Sequence, residues 1–201
     1  MYKNYGKRIC DLILSLIALP IVGFFIVVIG ISILIFDGRP VFYNSDRRGK
    51  NGKVYKMYKF RTMKVNAPDL RNSDGSTFNS SDDMRVTKIG KILRKLSIDE
   101  IPQILNVLTG DMSFIGPRPN LPSKKYSEMT KDEKKRLSVR PGITGYSQAY
   151  YRNSISQDEK YKNDLYYIDH LTFGLDVKIF IKTIGSVLKQ KNIYVVRDEK
   201  K

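Results

Sequence analysis

The chain has 201 residues, enough for one domain with a core of its own, and its 36 Lys and Arg against 20 Asp and Glu leave a net charge of +16. That balance points to polyanionic partners, while a mean hydropathy of −0.34 excludes a polytopic membrane protein. One cysteine and one histidine exclude an internal disulfide framework, a cysteine- or histidine-rich metal site and a multi-histidine proton relay.

Between Asp11 and Asp37 lie 25 residues, Leu12 to Phe36, without a charge. A straight helix of that length is ~37 Å long, more than the ~30 Å hydrocarbon core needs. The run is too long for the apolar part of a signal peptide, and Asp37-Gly38-Arg39-Pro40 follows it instead of a small-residue cleavage site. Lys3, Lys7 and Arg8 precede it, and residues 37–64 hold nine basic and two acidic residues. Basic flanks favour the cytoplasmic side, so both ends are expected there. Pro20 lacks an N–H and crowds the carbonyl four residues back, which predicts a kink. The favoured reading is a re-entrant helix that breaks near Pro20, with a simple spanning helix as the alternative. It divides the chain into a membrane-embedded segment 1–38, a cytosolic domain 39–194 and a charged tail 195–201. Cys10, at the start of the run, reads as a packing residue.

Residues 40–61 predict a β-hairpin, with Val41-Phe42-Tyr43 and Val54-Tyr55-Lys56-Met57-Tyr58 flanking a turn at Asn51-Gly52. Gly49 to Lys53 lacks P-loop spacing and reads as turn chemistry. The polar stretch Asn72 to Asp83 reads as a surface loop or a substrate lid. In residues 85–96, Ile89, Ile92, Leu93 and Leu96 recur at helical spacing among Arg85, Lys88, Lys91, Arg94 and Lys95. This basic amphipathic helix could lie on a membrane, face a phosphate or present a solvated cationic face. A further helix is expected near Ser97, with Ser97 and Glu100 as a capping box, or with Asp99 as N-cap so that Pro102 falls in the tolerated first turn. Gly110 should end it. Residues 123–137 predict a polar, charged helix. Residues 157–171 mix acidic residues with tyrosines. Residues 175–190 predict an amphipathic helix, with Val177, Phe180, Ile181, Ile184, Val187 and Leu188 as its apolar face.

Three places offer chemistry. Asp99 and Glu100 sit side by side, ~100° apart if helical, and suit a carboxylate nucleophile or metal ligand. The same pair also reads as capping residues. In Gly116-Pro117-Arg118-Pro119 two prolines fix the backbone around one arginine, which favours phosphate recognition. Arg140-Pro141-Gly142-Ile143-Thr144-Gly145 could hold a nucleotide or simply form a turn. His170 reads as structural. There is no Ser-His-Asp set, zinc spacing or dinucleotide fingerprint. No helix-turn-helix or RNP-like pattern appears, so nucleic acid is not expected as a partner.

In this order and spacing the pieces resemble the bacterial sugar transferase family, the monotopic polyprenyl-phosphate phosphoglycosyltransferases. The resemblance runs through Lys59-Phe60-Arg61-Thr62-Met63, Arg85 to Arg94, Ser97-Ile98-Asp99-Glu100-Ile101-Pro102-Gln103, Asn106-Val107-Leu108, Gly110 to Pro119 and Arg140 to Gly145. The short chain is similar to the small members. It differs at the membrane break, where small members often carry Ser-Pro and this chain has Leu19-Pro20. The resemblance implies an α+β, mainly helical fold, in which a small cytosolic catalytic domain with a β-hairpin and amphipathic helices is anchored by one N-terminal proline-broken re-entrant helix. It implies transfer of a sugar-1-phosphate from a UDP-sugar to undecaprenyl phosphate, with UMP released. Asp99 takes the role of nucleophile and Mg2+ ligand, Glu100 positions the metal or the dyad, and Arg118 holds phosphate. Lys59, Arg61, Arg85 and Arg94 are further candidate cations, and Arg140 and Thr144 candidate substrate contacts. Asp176 lies in a late Leu-Asp-Val-Lys-Ile segment that also resembles the family, without an assigned role. The expected setting is the cytoplasmic face of the bacterial inner membrane, in contact with its lipids. A non-catalytic membrane-tethered scaffold or polyanion-binding protein is the alternative.

Overall fold

The charge-free run becomes the longest helix of the protein, seen here in a computed structural model that describes residues 1–70, 78, 80, 82–152 and 154–189. The charged tail and most of the polar stretch 72–83 lie outside the described residues. Helix α1 (Lys7–Phe36) follows a helical turn at Tyr2–Gly6. Among the described residues only this segment is long and apolar enough to cross a membrane. Pro20 lies inside α1, which continues on either side of it. Ser15 Oγ donates to the Asp11 carbonyl at 2.7 Å, so it does not serve the Leu16 carbonyl that Pro20 leaves without its helical donor.

One stripe of α1 faces the rest of the protein: Asp11, Ser15, Val22, Ile29 and Ile33 are buried, while Ile13, Ile17, Ile21 and Phe24 are exposed. Its first turns are bonded to the domain. Lys7 pairs with Asp176 at 2.7 Å, Arg8 donates to the Val107 and Leu108 carbonyls, and Asp11 accepts from Ser113 Oγ and the Phe114 N–H. At the far end Ile29 and Ile33 pack with Phe60 and Leu93. Arg61 there donates to the carbonyls of Asp37, Gly38 and Pro40, in the segment that leaves the end of α1. Both ends of the apolar helix are therefore held by the same domain.

The hairpin forms about the expected Asn51-Gly52 turn, but its first strand is Ser45–Arg48, not Val41–Tyr43. β1 (Ser45–Arg48) pairs antiparallel with β2 (Val54–Met57), and Asn51 and Gly52 take left-handed conformations in the turn. The register continues outward through the Phe42–Phe60 bridge, so Val41 to Tyr43 pair beyond β2 instead of with it. Helix α2 (Lys88–Leu96) starts later than its basic run because the Thr87 hydroxyl caps it, accepting from the Gly90 N–H. Gly90 lies flush against the Thr62 backbone, where a Cβ would come within 2.1 Å of the carbonyl oxygen.

The expected capping box at Ser97 is not formed. Ser97 is the left-handed residue that ends α2, with φ +58°, and its side chain caps nothing downstream. A residue spent on closing one helix lacks the extended conformation that an N-cap needs. Asp99 is not an N-cap either: it lies in a single 3-10 turn, Ile98–Glu100, and α3 (Gln103–Thr109) begins after Pro102. Gly110 ends α3 with φ +91°, as expected.

β3 (Ser113–Ile115) pairs parallel with β4 (Gly142–Thr144). Their contact brings the two proline-rich loops together, because a Cβ on Gly142 would lie 2.1 Å from the Gly116 nitrogen. The polar helix expected over 123–137 is broken: a 3-10 turn at Tyr126–Glu128 precedes α4 (Lys131–Arg136), since Thr130 and Glu133 form a capping box that starts a new helix. Then come α5 (Tyr146–Tyr150), α6 (Gln157–Asp169) and α7 (Phe173–Leu188). The main core joins Ile115, Val139, Ala149, Tyr167, Ile168 and Ile179. The apolar stripe of α7 is not part of it. Val177, Phe180, Ile181, Ile184 and Leu188 are exposed, and the helix buries Asp176 and Ile179 instead.

Candidate active site

Asp99 and Glu100 sit where the hairpin, the α2–α3 junction and the Gly116–Pro119 loop converge. The Phe60 N–H donates to the Asp99 carbonyl at 3.0 Å, which fixes the acidic turn to the hairpin's outer strand. Phe60 is fully buried, so its neighbour Lys59 is set with little freedom. Lys59 Nζ lies 2.7 Å from Asp99 Oδ2 and 3.5 Å from Glu100 Oε1. Arg118 Nη2 reaches Glu100 Oε1 at 3.1 Å from the proline-bounded loop. The Asp99 side chain is 5% exposed, whereas that of Arg118 is 57% exposed. Burial alone would raise the Glu100 carboxyl, but Arg118 and Lys59 override it and hold the group well below the usual carboxylate range. The site is a carboxylate pair under two cations, one of which faces solvent.

The supports behind it were not legible as such. Asn106 on α3 grips the hairpin with both ends of its amide, donating to the Lys56 carbonyl at 2.8 Å and accepting from the Tyr58 N–H at 2.9 Å. Buried Arg136 donates to the Arg118 carbonyl and pairs with Asp164 at 2.6 Å, which steadies the loop from behind. Arg152 has no signal in the sequence beyond its charge. It donates to Ser97 Oγ at 3.3 Å; burial lowers its pKa, and the charge of Glu100 opposes that shift.

The other sequence candidates have different surroundings. Arg94 Nε donates to Thr62 Oγ1 at 2.9 Å, on the helix that leads into the dyad. Arg61 is buried and bonded to backbone carbonyls at the end of α1. Arg85 is buried and bidentate to Asp83, with further bonds to the Pro68 and Phe78 carbonyls. Its hydrogen bonds hold Asp83 below the ordinary carboxylate range. Arg140 Nε donates to the Gly110 carbonyl at 2.7 Å, and the Thr144 hydroxyl meets that of Thr183 at 2.8 Å. Among these contacts, only those of Lys59 and Arg118 join the dyad directly. A cavity of about 560 Å3, lined by Phe36, Arg61, Lys64 and Lys91 among others, lies between the end of α1 and the start of α2, away from Asp99 and Glu100.

No group of three or more Asp, Glu, His or Cys side chains that could hold a metal occurs among the described residues. Two adjacent carboxylates nevertheless fit Mg2+, which takes one or two carboxylates and completes its shell with water and substrate phosphates.

The model of the family described as "Bacterial sugar transferase" matches residues 2–190. The chain belongs to that family. It is 42% identical over 192 residues to the "Uncharacterized sugar transferase EpsL" of Bacillus subtilis, covering 93% of this chain and 89% of that protein. It is 37% identical over 187 residues to the UDP-N-acetylgalactosamine-undecaprenyl-phosphate N-acetylgalactosaminephosphotransferase of Aeromonas hydrophila, covering 90% of this chain but 43% of that protein. A UDP-glucose:undecaprenyl-phosphate glucose-1-phosphate transferase of Escherichia coli is 34% identical over 195 residues, covering 94% and 41%. The chain thus spans nearly all of one relative and under half of the two others.

Proposed function

We propose that this protein transfers a sugar-1-phosphate from a UDP-sugar to undecaprenyl phosphate, through a covalent phosphosugar intermediate on Asp99. The observation that carries the reading is the Asp99–Glu100 pair, Asp99 buried and Glu100 partly so, with Lys59 and Arg118 bonded to it, in a family whose named relatives act on these two substrate classes. An Asp99 oxygen attacks the phosphorus that bears the sugar, the bond to the bridging oxygen breaks, and UMP leaves with that electron pair. An oxygen of the lipid phosphate then attacks the same phosphorus and frees the carboxylate. Two steps let a water-soluble donor and a lipid acceptor use one site in turn. Lys59 exchanges its contact with Asp99 for the incoming diphosphate and offsets the repulsion between that anion and the nucleophile. Arg118, bonded to Glu100 on one side and open to solvent on the other, binds phosphate. Glu100, ionised under both cations, positions them. Mg2+, held by Asp99 with Glu100 beside it, would neutralise diphosphate charge when bound.

The membrane reading belongs to the same proposal. Lys7, Arg8 and Asp11 tie the start of α1 to the domain, and Ile29, Ile33 and Arg61 tie its end. Two ends fixed to one water-soluble domain support a helix that enters and leaves on the same face, bending at Pro20. The basic flanks put that face on the cytoplasmic side of the bacterial inner membrane.

The test is a single-turnover assay of detergent-solubilised protein with Mg2+ and a panel of UDP-sugars, without lipid. About one UMP per active site is expected, with turnover only after undecaprenyl phosphate is added. Asp99→Asn should release none while keeping its fold. Turnover that requires lipid with no initial UMP would remove the covalent intermediate. A folded, donor-binding protein silent in both conditions would bring the scaffold reading forward.

A further inference from the structure

The acidic turn has a third neighbour besides Lys59 and the Arg118 loop, the end of α5. That helix starts at Gly145, where a Cβ would lie 2.2 Å from the Gly116 carbonyl oxygen, so its first residue is pressed against the loop that carries Arg118. At its end the Ser147 carbonyl accepts from the N–H groups of both Tyr151 and Arg152, each at 2.9 Å. Arg152 Nη2 then reaches Ser97 Oγ at 3.3 Å, two residues ahead of Asp99. Arg152 holds a φ of +52°, a left-handed conformation that a residue with a side chain keeps only where its surroundings fix it. Tyr151 is thus set on a fixed turn, one arginine side chain away from the segment that bears the nucleophile.

The tyrosines around it are engaged with one another. Tyr146 stacks on Tyr150 at 4.8 Å and meets Tyr166 edge-on at 5.3 Å, and Lys182 Nζ lies 5.4 Å from the centre of the Tyr150 ring. Tyr151 differs. Among the described residues its one ring contact is with Tyr150, 6.3 Å away and tilted by 42°, and it is 38% exposed. A tyrosine held in this way offers a ligand a large flat face with little side-chain entropy to lose.

We propose that Tyr151 recognises the sugar of the donor, its ring taking the apolar face of a galacto-configured hexose. The inference deepens the transfer reaction and rests on it. When Asp99 attacks phosphorus, UMP is expelled in line, so the nucleoside lies on the side away from the nucleophile. The sugar stays on the phosphoryl group through both steps, next to the acidic turn. A residue adjoining the Ser97–Glu100 segment therefore meets the sugar and not the uracil. Hexoses carry hydroxyls around the rim and C–H groups on their faces. In a galacto-configured ring the axial oxygen on C4 leaves the C–H groups of C3, C4 and C5 together on the opposite face. In the gluco epimer the C4 hydrogen points the other way and the patch is broken. An aromatic face beside the nucleophile thus separates the two epimers at C4.

The experiment compares those epimers. UMP release is measured for full-length, detergent-solubilised protein with Mg2+, undecaprenyl phosphate and either UDP-galactose or UDP-glucose, and again with the two N-acetylhexosamine counterparts. Wild type should favour the galacto donor in each pair. Tyr151→Ala should lower kcat/KM for that donor roughly tenfold, the worth of one aromatic contact, and so bring the epimers together. Tyr151→Phe, which keeps the ring, should keep the preference, and inhibition by UMP should be the same in all three proteins. A wild type that favours the gluco donor, or an equal loss for both epimers in folded Tyr151→Ala, would overturn the proposal. So would weaker inhibition by UMP, which would seat the uracil on the ring. Saturation-transfer NMR of UDP-galactose on Asp99→Asn protein reads the contact without turnover and without altering Tyr151. The protons on C3, C4 and C5 should receive the most magnetisation within the sugar, and transfer confined to the uridine, or none at all, would overturn the assignment. Turnover without an epimer effect would remove this inference and leave the reaction standing. The NMR pattern in a protein that releases no UMP would remove the reaction and leave the contact standing.

Discussion

Substituting Lys7 by Met removes one member of a buried ion pair and spares its volume. Lys7 and Asp176 are 10% and 7% exposed at the side chain, 2.7 Å apart, and 169 positions apart in sequence. Asp176 keeps hydrogen bonds from Tyr2 and Tyr167, at 2.6 and 2.7 Å, but loses its only paired cation in this cluster. Breaking a buried pair by deleting one partner costs ~3–5 kcal/mol, because the remaining charge stays desolvated. For a chain of this size that corresponds to a melting shift of roughly 6–20 °C. The protein has 13 tyrosines and no tryptophan, so tyrosine fluorescence of the detergent-solubilised chain reports unfolding, and Tyr2 and Tyr167 themselves line the site. Asp176→Asn and the double variant complete a cycle, in which the pair should show a coupling of about 2–3 kcal/mol. A Lys7→Met protein within about 1 kcal/mol of wild type, or a cycle that is additive, would refute the reasoning that α1 is bonded into the domain through this pair.

Four arginine and glycine positions and one glutamate give the remaining expectations. Arg118→Met should leave stability within about 0.5 kcal/mol, since its side chain is largely exposed, yet lower kcat/KM for the donor by roughly 10²-fold or more. Arg85→Met should do the reverse: it unpairs buried Asp83 and costs ~3–5 kcal/mol in a denaturant titration, with donor KM unchanged in the folded fraction. The Glu100 carboxyl is depressed in the folded state from an ordinary value of 4.5, so its contribution to stability is complete above that pH and is lost as pH falls below it. Glu100→Gln should therefore flatten the acid limb of a stability–pH curve. Gly142→Ala drives a Cβ into the Gly116 backbone and should abolish folding, as read by expression and circular dichroism, whereas Gly185→Ala on α7 meets open space and should stabilise by about 0.5–1 kcal/mol.

The parts of the fold that were legible rest on local chemistry. The Asn51-Gly52 turn places the hairpin, while the strand facing Val54–Met57 is the polar Ser45–Arg48 and not the apolar Val41–Tyr43. A charge-free run of 25 residues reads as one long apolar helix, and α1 is that helix. The acidic pair was legible as a candidate through its setting in ordered motifs, and the bond between the Phe60 N–H and the Asp99 carbonyl shows why Lys59 belongs with it. What stayed hidden is the choice among cations. Arg61, Arg85 and Arg118 each follow or precede an apolar segment and carry the same charge. Long-range packing decides that the first is bonded at a helix end and the third reaches Glu100, whereas the second pairs with Asp83 only two residues before it. Ser97 misled because Ser-x-x-Glu carries no record of the helix that ends on it. The stripe of α7 misled because a 3.6-residue period reports that one side is apolar, not what covers it.

Buried charge settles how α1 and the domain depend on each other. Asp11 and Asp176 are carboxylates in helices where a surface position would be free of cost, yet they are 4% and 6% exposed. Their desolvation is offset in large part by groups from the other partner: Asp11 by Ser113 and Phe114 of the domain, Asp176 by Tyr2 and Lys7 of the N-terminal segment, beside Tyr167 of the domain itself. Each side therefore carries a buried carboxylate that loses part of its compensation when the other is removed. An amphipathic anchor joined by apolar contacts alone would slide along its stripe, since Val22, Ile29 and Ile33 are interchangeable at the level of hydrophobicity. The reciprocal carboxylates forbid that, because a shift of one helical turn, about 5.4 Å, would break every one of these bonds. The register of the apolar helix against the domain is thus fixed at its polar end. The Asp99–Glu100 turn, carried on the same domain, inherits a fixed position relative to the point where α1 turns apolar.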